Sequence, residues 1–173
     1  MNSVIVINAL RFIGLVVLQG LVFQNVGAGW ENFPYLNIIL FPLFILLLPM
    51  RTPKASVILL GFLIGIFVDI FYNSMGLHAS AAVFTAFARP YVLNILEPRG
   101  GYNVNYSPTA YRMGLGWFLR YASILMFSHL FFYFSVEAFT FVYFVDILIK
   151  TIVSFIVSMI FILIYQLILN PVD

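Results

Sequence analysis

Among the side chains with acid–base or ionic chemistry within or beside the long apolar stretches of this sequence, five are predicted to lie toward the same side of the membrane. They are Asp69, His78, His129, Asp146 and Lys150. Ionisable groups inside a membrane span are costly, usually face protein or water rather than lipid, and are often functional. With the topology predicted below, all five lie toward the outer side of the membrane. We expect them to form a polar cluster there, as a packed hydrogen-bond network, a small polar pocket or a partner-docking surface.

Asp69 and His78 are the closest pair in this group. The short turn of residues 73–76 separates the two helices that carry them. A turn of that length joins antiparallel neighbours, which brings both side chains to the same membrane depth. The spacing therefore predicts a hydrogen bond or an ion pair, which is either a polar clasp between two helices or part of a functional site.

A face of small residues leads up to this pair. Gly61, Gly65 and Asp69 are four residues apart, so they share one face of a helix. Small residues at this spacing let a second helix approach closely in lipid. The face predicts either a contact between two helices of this chain or a contact with another protein.

The next apolar stretch carries a mixed stripe of small and polar residues, namely His78, Ala82, Thr85 and Arg89. Such a stripe is expected to pack inside the bundle rather than against lipid. Arg89 lies just before Pro90. We expect its side chain either to reach the cytoplasmic surface or to meet a polar partner in the interior.

The last apolar stretch has a second polar stripe. Asp146, Lys150, Ser154 and Ser158 follow one another at intervals of four. Asp146 and Lys150 are therefore placed for an ion pair along one helix. No metal site and no cofactor is predicted, because the histidines and aspartates lie on separate helices without the spacing of metal ligands.

The composition explains why these polar residues stand out. The chain has 173 residues, of which 64% are hydrophobic and 8% are charged, with a mean hydropathy of +1.09. Soluble domains carry about 25% charged residues. The formal net charge of +2 gives no reason to expect nucleic acid, and the absence of cysteine excludes disulfides and thiolate chemistry. The chain is therefore predicted to be an integral membrane protein.

Six apolar stretches approach the length of about 20 residues that a membrane helix needs. They are residues 4–24, 34–49, 55–72, 78–96, 117–135 and 146–169. The second is short and contains Pro42, so it is expected to be tilted or kinked. The first lacks a basic leader and a cleavage site, so we interpret it as a retained helix. The sequence predicts one all-α domain over residues 1–173, a compact bundle of about six transmembrane helices.

The distribution of basic residues predicts the orientation. With the N-terminus inside, Arg51, Lys54, Arg99 and Arg112 fall in cytoplasmic loops, whereas Glu31 and Glu137 fall outside. Seven of the eight basic residues then agree with the positive-inside rule, and Lys150 is the exception. Both termini are therefore predicted to be cytoplasmic.

Sequence motifs of several enzyme classes are missing. The chain has no P-loop, no glycine-rich dinucleotide motif, no HExxH and no GxSxG. No catalytic residues are predicted, and we expect a protein that is not an enzyme.

The stretch from residue 36 to residue 96 resembles the rod shape-determining protein MreD family. The resemblance is carried by the pattern Gly61-xxx-Gly65-xxx-Asp69, by the following Gly76 and His78, and by the apolar second stretch that ends at residues 49–51. From residue 97 onward only the hydropathy is similar. The family's functional residues are carried over to those five positions and to no others.

The resemblance implies a non-catalytic membrane scaffold of the bacterial elongation machinery. Such a protein lies in the cytoplasmic (inner) membrane and binds MreC. It works with MreB, with a RodA-type glycosyltransferase and with the transpeptidase partner of that enzyme, and it helps to direct peptidoglycan synthesis and maintain rod cell shape. The resemblance also implies a fold similar to the substrate-binding membrane subunits of energy-coupling-factor transporters.

A second hypothesis is a small-molecule-binding membrane subunit of a transporter. It predicts an enclosed pocket on the outer side that contains His129, Asp146 or Lys150 and has aromatic walls.

Overall fold

The computed structural model of this chain describes residues 2–28, 35–74, 76–140 and 142–169, and all regular structure within them is helical. The first helical run consists of α1 (Asn2–Val17), a π-helical segment (Leu18–Phe23) and α2 (Gln24–Ala28). The following helices are α3 (Leu43–Leu47), α4 (Lys54–Tyr72), α5 (Leu77–Ile95), α6 (Ala110–Met113), α7 (Leu115–Ala138) and α8 (Phe144–Leu169).

Four stretches of the described residues are long and apolar enough to cross a membrane. They are Ile5–Val26, Lys54–Tyr72, Leu115–Ala138 and Phe144–Ile168. Helix α5 has 19 residues but is less apolar, since it carries His78, Thr85 and Arg89 among its buried residues. The structure is therefore that of an α-helical membrane protein, with four such helices where the sequence predicts about six crossings.

The predicted second transmembrane helix is not a continuous helix. Residues 36–40 have no regular secondary structure, and only Leu43–Leu47 forms a short α-helix. Pro42 and Pro49 flank this helix, and proline can neither donate a backbone hydrogen bond nor continue a helix. The apolar run that resembles a spanning helix in the sequence is thus a broken segment, residues 35–48, which we call the central segment.

The central segment is the core of the bundle. From Ile38 to Leu48 every apolar side chain is at most 7% exposed. Backbone that is not helical is tolerated at membrane depth only where protein covers it. The long helices provide this cover and must also satisfy the backbone groups that the segment leaves unpaired.

The helices are arranged so that most basic residues lie toward one end of the bundle, together with Glu97. Helix α4 packs on α5, α5 on α7 and α7 on α8. The turn after Leu48 meets the loop after α5, where Met50 N donates to the Tyr106 carbonyl over 3.2 Å and Arg51 N to the Val104 carbonyl over 2.9 Å. We call this the basic end, and the end with the α4–α5 and α7–α8 turns the acidic end.

The basic end and the helix portions next to it hold seven of the eight basic residues: Arg11, Arg51, Lys54, Arg89, Arg99, Arg112 and Arg120. The acidic end holds Asp69, Glu137, Asp146 and one basic residue, Lys150.

The long loop at the basic end is packed against helix ends. The Tyr102 hydroxyl donates to the Leu93 carbonyl over 2.8 Å, and Trp117 Nε1 donates to the Leu96 carbonyl over 2.8 Å. Burial raises the pKa of Tyr102 to about 12. The hydroxyl therefore stays protonated and keeps donating its hydrogen bond.

Candidate functional site

Asp69, near the C-terminal end of α4, caps the N-terminus of α5. Its Oδ1 accepts from the His78 backbone N–H over 2.9 Å, and its Oδ2 accepts from the Ala79 N–H over 3.0 Å. The residue at the cap position of α5 itself, Gly76, has no side chain to do this. First-turn N–H groups have no partner within a helix, so a carboxylate from the neighbouring helix replaces the usual capping residue.

The same carboxylate holds the side chains of the turn. Oδ1 of Asp69 accepts from the Ser74 hydroxyl over 2.7 Å and lies 2.9 Å from Nδ1 of His78. Nδ1 of His78 also lies 2.9 Å from the Ser74 hydroxyl oxygen, so the three side chains meet at one point. His78 is 1% exposed and its ring contacts the rings of Phe41, Tyr72 and Tyr133. The predicted contact between Asp69 and His78 is present in the structure.

Gly65 allows the two helices to meet at this point. A Cβ atom on Gly65 would lie 2.3 Å from the Cα atom of Ala79 and 2.7 Å from its backbone nitrogen. At Gly61 the same atom would lie 3.1 Å from the Ala86 Cβ atom. Both glycines therefore make the internal helix contact, which was one of the two predicted interpretations of this face.

The turn itself depends on two left-handed residues. Asn73 ends α4 with φ 50°, and Gly76 begins α5 with φ 81°. Glycine and asparagine are the residues that adopt this conformation most readily. Gly65, Asp69, Ser74, Gly76 and His78 thus form one structural unit, which we call the clasp.

An open recess lies beside the clasp at the acidic end. Its volume is about 530 Å³. It is lined by Ile66, Asp69, Ile70, Asn73, Ser74 and Gly76. Ile70 is 66% exposed, whereas Asp69 is 6% exposed. The recess therefore combines an apolar wall with the outer edge of the clasp.

His129 does not belong to the clasp. It is fully buried on α7, and its Nδ1 lies 2.7 Å from the Thr85 hydroxyl, which donates to the Ala81 carbonyl. The ring of Phe41 contacts both His129 and His78, with centroids 5.4 Å and 5.7 Å away. His129 is therefore a packing residue of the α5–α7 interface.

Asp146 and Lys150 also lie apart from the clasp, and the prediction of an ion pair between them is wrong. Lys150 Nζ instead lies 3.1 Å from a carboxylate oxygen of Glu137 on α7, so it joins α7 to α8. Both residues line a recess of about 360 Å³ that also contains Tyr35 and Tyr143. The predicted single polar cluster is thus divided into three separate groups.

Gln19 is a functional residue of the core that the sequence analysis missed. It is fully buried in the π-helical segment. Its Oε1 accepts from the Leu40 N–H over 2.8 Å, and its Nε2 donates to the Ile38 carbonyl over 2.9 Å and the Tyr72 hydroxyl over 2.8 Å. A glutamine amide has both a donor and an acceptor, so it can pair with a backbone N–H and a backbone carbonyl of a non-helical segment. A glutamine within an apolar span was the available signal.

Arg89 satisfies the other end of the central segment. Its Nη2 donates to the Leu48 carbonyl, and its Nε donates to the Tyr121 hydroxyl over 3.1 Å. Tyr121 in turn donates to the Leu46 carbonyl over 3.0 Å. Arg89 is 3% exposed, so the predicted alternative of an interior polar partner is the one that the structure contains.

The serine stripe of α8 serves the same purpose. Ser154 accepts from the Asn37 N–H over 3.1 Å, and Ser158 accepts from the Ile39 N–H over 3.0 Å. The stripe therefore faces protein, as predicted, and its partner is the backbone of the central segment. Four elements, the π-helical segment, α5, α7 and α8, supply side chains to this segment.

No group of three histidine, aspartate or glutamate residues in the part of the chain that the structure describes is arranged to hold a metal ion. Comparison with known proteins found no match: no protein family, no curated protein and no solved structure is detectably similar to this chain.

Proposed function

We propose that this chain is a non-catalytic scaffold of the bacterial inner membrane that binds MreC and takes part in rod-shaped cell elongation. The proposal is supported by the resemblance of five residues to the MreD pattern and by their structural use at the α4–α5 contact. The five residues are Gly61, Gly65, Asp69, Gly76 and His78. The clasp fixes α4 against α5, so the surface beside it is rigid. A rigid surface loses little conformational entropy when a partner binds.

The observation that carries the proposal is the recess beside the clasp. It is open, it has an apolar wall on α4, and it lies at the acidic end. Its position supports binding of a partner that has a transmembrane helix followed by an external segment. The helix would lie along the exposed face of α4 formed by Leu59, Phe62, Ile66 and Ile70.

The buried polar residues support a role without catalysis. Gln19, Arg89, Ser154 and Ser158 hold the central segment, while Asp69 and His78 hold the α4–α5 turn. Each of these side chains thus has a structural task. The assignment as a scaffold rests on this use of the polar groups together with the resemblance.

The proposal includes six crossings with both termini in the cytoplasm. Besides the four long helices, α5 would cross the membrane, and its buried polar residues face protein. The central segment would also cross, because it runs from the recess around Lys150 to the contact between Arg89 and Leu48. With the basic end inside, this topology agrees with the positive-inside rule.

The test is recovery of MreC with the purified protein after the recess has been filled. Ile70→Trp places a large side chain at an exposed position that lines the recess. We expect recovery of MreC to fall about tenfold, which corresponds to a loss of about 1.4 kcal/mol. The matched control is Ile156→Trp on α8, where the original side chain is 54% exposed.

Two results would contradict the proposal. One is an absence of MreC among the proteins that co-purify with the wild-type chain from its membranes. The other is equal recovery of MreC by wild type, Ile70→Trp and Ile156→Trp, which would exclude the recess. Replacing Gly65 is unsuitable for this test, since it would disrupt the α4–α5 contact itself.

The recess around Lys150 favours a second candidate function, binding of a small molecule by a transporter subunit. Glu137, Asp146 and Lys150 offer both charges in a volume of about 360 Å³. Co-purification of the wild-type chain with an energy-coupling ATPase, in place of MreC, would support this alternative. His129 takes no part in it, because it is buried against Thr85 and Phe41.

A further inference from the structure

A long apolar groove separates α1 from α4 near the basic end. Its volume is about 600 Å³. It is lined on α1 by Ile5, Asn8, Ala9, Phe12 and Ile13, on α4 by Leu60, Leu63 and Phe67, and between them by Phe44, Leu48, Pro49, Arg51 and Thr52. Close-packed protein interiors do not leave gaps of this size, so the groove is a feature of the surface that something else must fill.

The groove exists because the two helices converge only at the acidic end. There Gly20 lies against the ring of Phe71, and Gln24 Nε2 donates to the Phe71 carbonyl over 2.6 Å. Toward the basic end Phe12 contacts Phe67 and Phe44 edge to face, with centroids 5.7 Å and 5.3 Å away. Beyond Phe12, small Ala9 leaves the two helices apart.

The size of the groove suits an acyl chain. Its α1 wall, from Ile5 to Ile13, is about 12 Å long at 1.5 Å per residue. Its volume of about 600 Å³ lies in the range of small-molecule sites, about 300–1,000 Å³.

A cation lies at the mouth of the groove. Arg51 is exposed, and among the described residues no carboxylate pairs with it; its polar side-chain contact is Asn105, 3.5 Å away. Thr52 lines the groove beside it. Guanidinium groups bind phosphate by paired hydrogen bonds. A basic site at the membrane surface next to an apolar groove has the chemistry of a lipid phosphate and its tail.

We propose that this groove binds one anionic phospholipid, with an acyl chain between α1 and α4 and the phosphate at Arg51. The lipid would belong to the leaflet on the side of the basic end. Its tail would fill the gap over Ala9 and Phe12, and thereby complete the packing of α1 on the bundle.

The test is lipid retention by the purified full-length chain, measured by native mass spectrometry after incubation with phosphatidylglycerol or phosphatidylcholine. We expect wild type to retain phosphatidylglycerol about fivefold better than phosphatidylcholine, because one cation near a membrane surface favours an anionic lipid by about this factor. Arg51→Gln should remove this preference. Arg120→Gln, which changes an exposed arginine at the same end but outside the groove, should preserve it.

A second variant tests the acyl-chain site. Ala9→Phe adds a ring to the groove and should reduce retention of phosphatidylglycerol several-fold, with the melting temperature in detergent as the check on folding. The proposal is overturned by equal retention of the two lipids by wild type, or by equal effects of Arg51→Gln and Arg120→Gln. It is also overturned if Ala9→Phe retains the lipid fully but loses MreC, since the groove would then be a helix-docking site.

Discussion

The carboxylate of Asp69 lies where the first N–H groups of α5 point away from their own helix. A negative charge at that position is favoured by the helix dipole as well as by hydrogen bonding. The same oxygens orient Ser74 and His78 in the turn. One residue therefore closes a helix end and links two helices, which explains why an ionised group is useful there.

Replacing Asp69 should weaken the α4–α5 hairpin. Asp69→Ala removes the acceptor for two N–H groups and two side chains, and we expect the free energy of unfolding to fall by about 3 kcal/mol. Asp69→Asn should cost less, about 1–2 kcal/mol, because its amide oxygen can still accept. Thermal melting of the purified protein in detergent measures both. Equal stability of Asp69→Ala and wild type would show that the clasp contributes nothing.

The two glycines facing α5 should differ in their sensitivity to alanine. At Gly65 a new Cβ atom meets the backbone of Ala79, so Gly65→Ala should destabilise the protein by about 3 kcal/mol. At Gly61 the contacts are 3.1–3.4 Å and involve side chains in part, so Gly61→Ala should cost about 1 kcal/mol.

Gly14→Ala is the control for these two variants. A Cβ atom there meets nothing within 4 Å, so the change should leave stability within about 1 kcal/mol of wild type. Melting temperatures of the three variants should therefore rank Gly14→Ala, Gly61→Ala and Gly65→Ala from highest to lowest. A reversed order of the last two would mean that the close approach of the helices is misplaced.

At the level of elements, the central segment determines which polar residues the long helices carry. A non-helical segment inside a helical bundle has backbone N–H and carbonyl groups that lack hydrogen-bond partners within the segment itself. Gln19, Tyr121, Arg89 and the serines of α8 supply the missing partners. The polar residues of the spans are thus explained by the segment that they surround.

Gln19 should be the most sensitive of these partners. Gln19→Leu leaves the Leu40 N–H and the Ile38 carbonyl unpaired inside the bundle, so we expect a loss of about 3 kcal/mol. Gln24→Leu is a matched control on the same helical run, because Gln24 makes one hydrogen bond to the Phe71 carbonyl; it should cost about 1 kcal/mol. Similar melting temperatures for the two variants would contradict this account of the central segment.

At the level of the whole molecule, basic residues are distributed unevenly along the bundle axis. The basic end and the helix portions next to it hold seven of the eight cations together with Glu97, and the acidic end holds Asp69, Glu137, Asp146 and Lys150. Cations near a membrane end favour its cytoplasmic side. We therefore expect the basic end to lie on the cytoplasmic side of the membrane.

Single cysteines can test this orientation, because the chain contains none. We expect Asn73→Cys and Thr140→Cys, at the acidic end, to react with a membrane-impermeant maleimide in intact cells. Asn105→Cys, at the basic end, should react only after the membrane is permeabilised. Labelling of Asn105→Cys together with Asn73→Cys in intact cells would mean that α5, which lies between them, does not cross the membrane. Labelling of Asn105→Cys together with Thr140→Cys would mean the same for α7.

The sequence by itself was sufficient for the membrane class, the long helices α1, α4, α5, α7 and α8, and the link between Asp69 and His78. These features depend on local quantities: hydropathy over about 20 residues, the four-residue spacing of small side chains and the length of one turn. They hold whichever way the bundle packs.

Only the tertiary structure decided the rest. An apolar run with Pro42 is compatible with a kinked helix or with a buried non-helical segment. The non-helical form depends on hydrogen bonds from Gln19, Arg89 and Ser158, which are near the segment in space although distant in sequence. Likewise, Lys150 pairs with Glu137 on α7 and not with Asp146 on its own helix, because α7 packs against α8. Partners supplied by other elements leave no periodic signal in the segment that they stabilise.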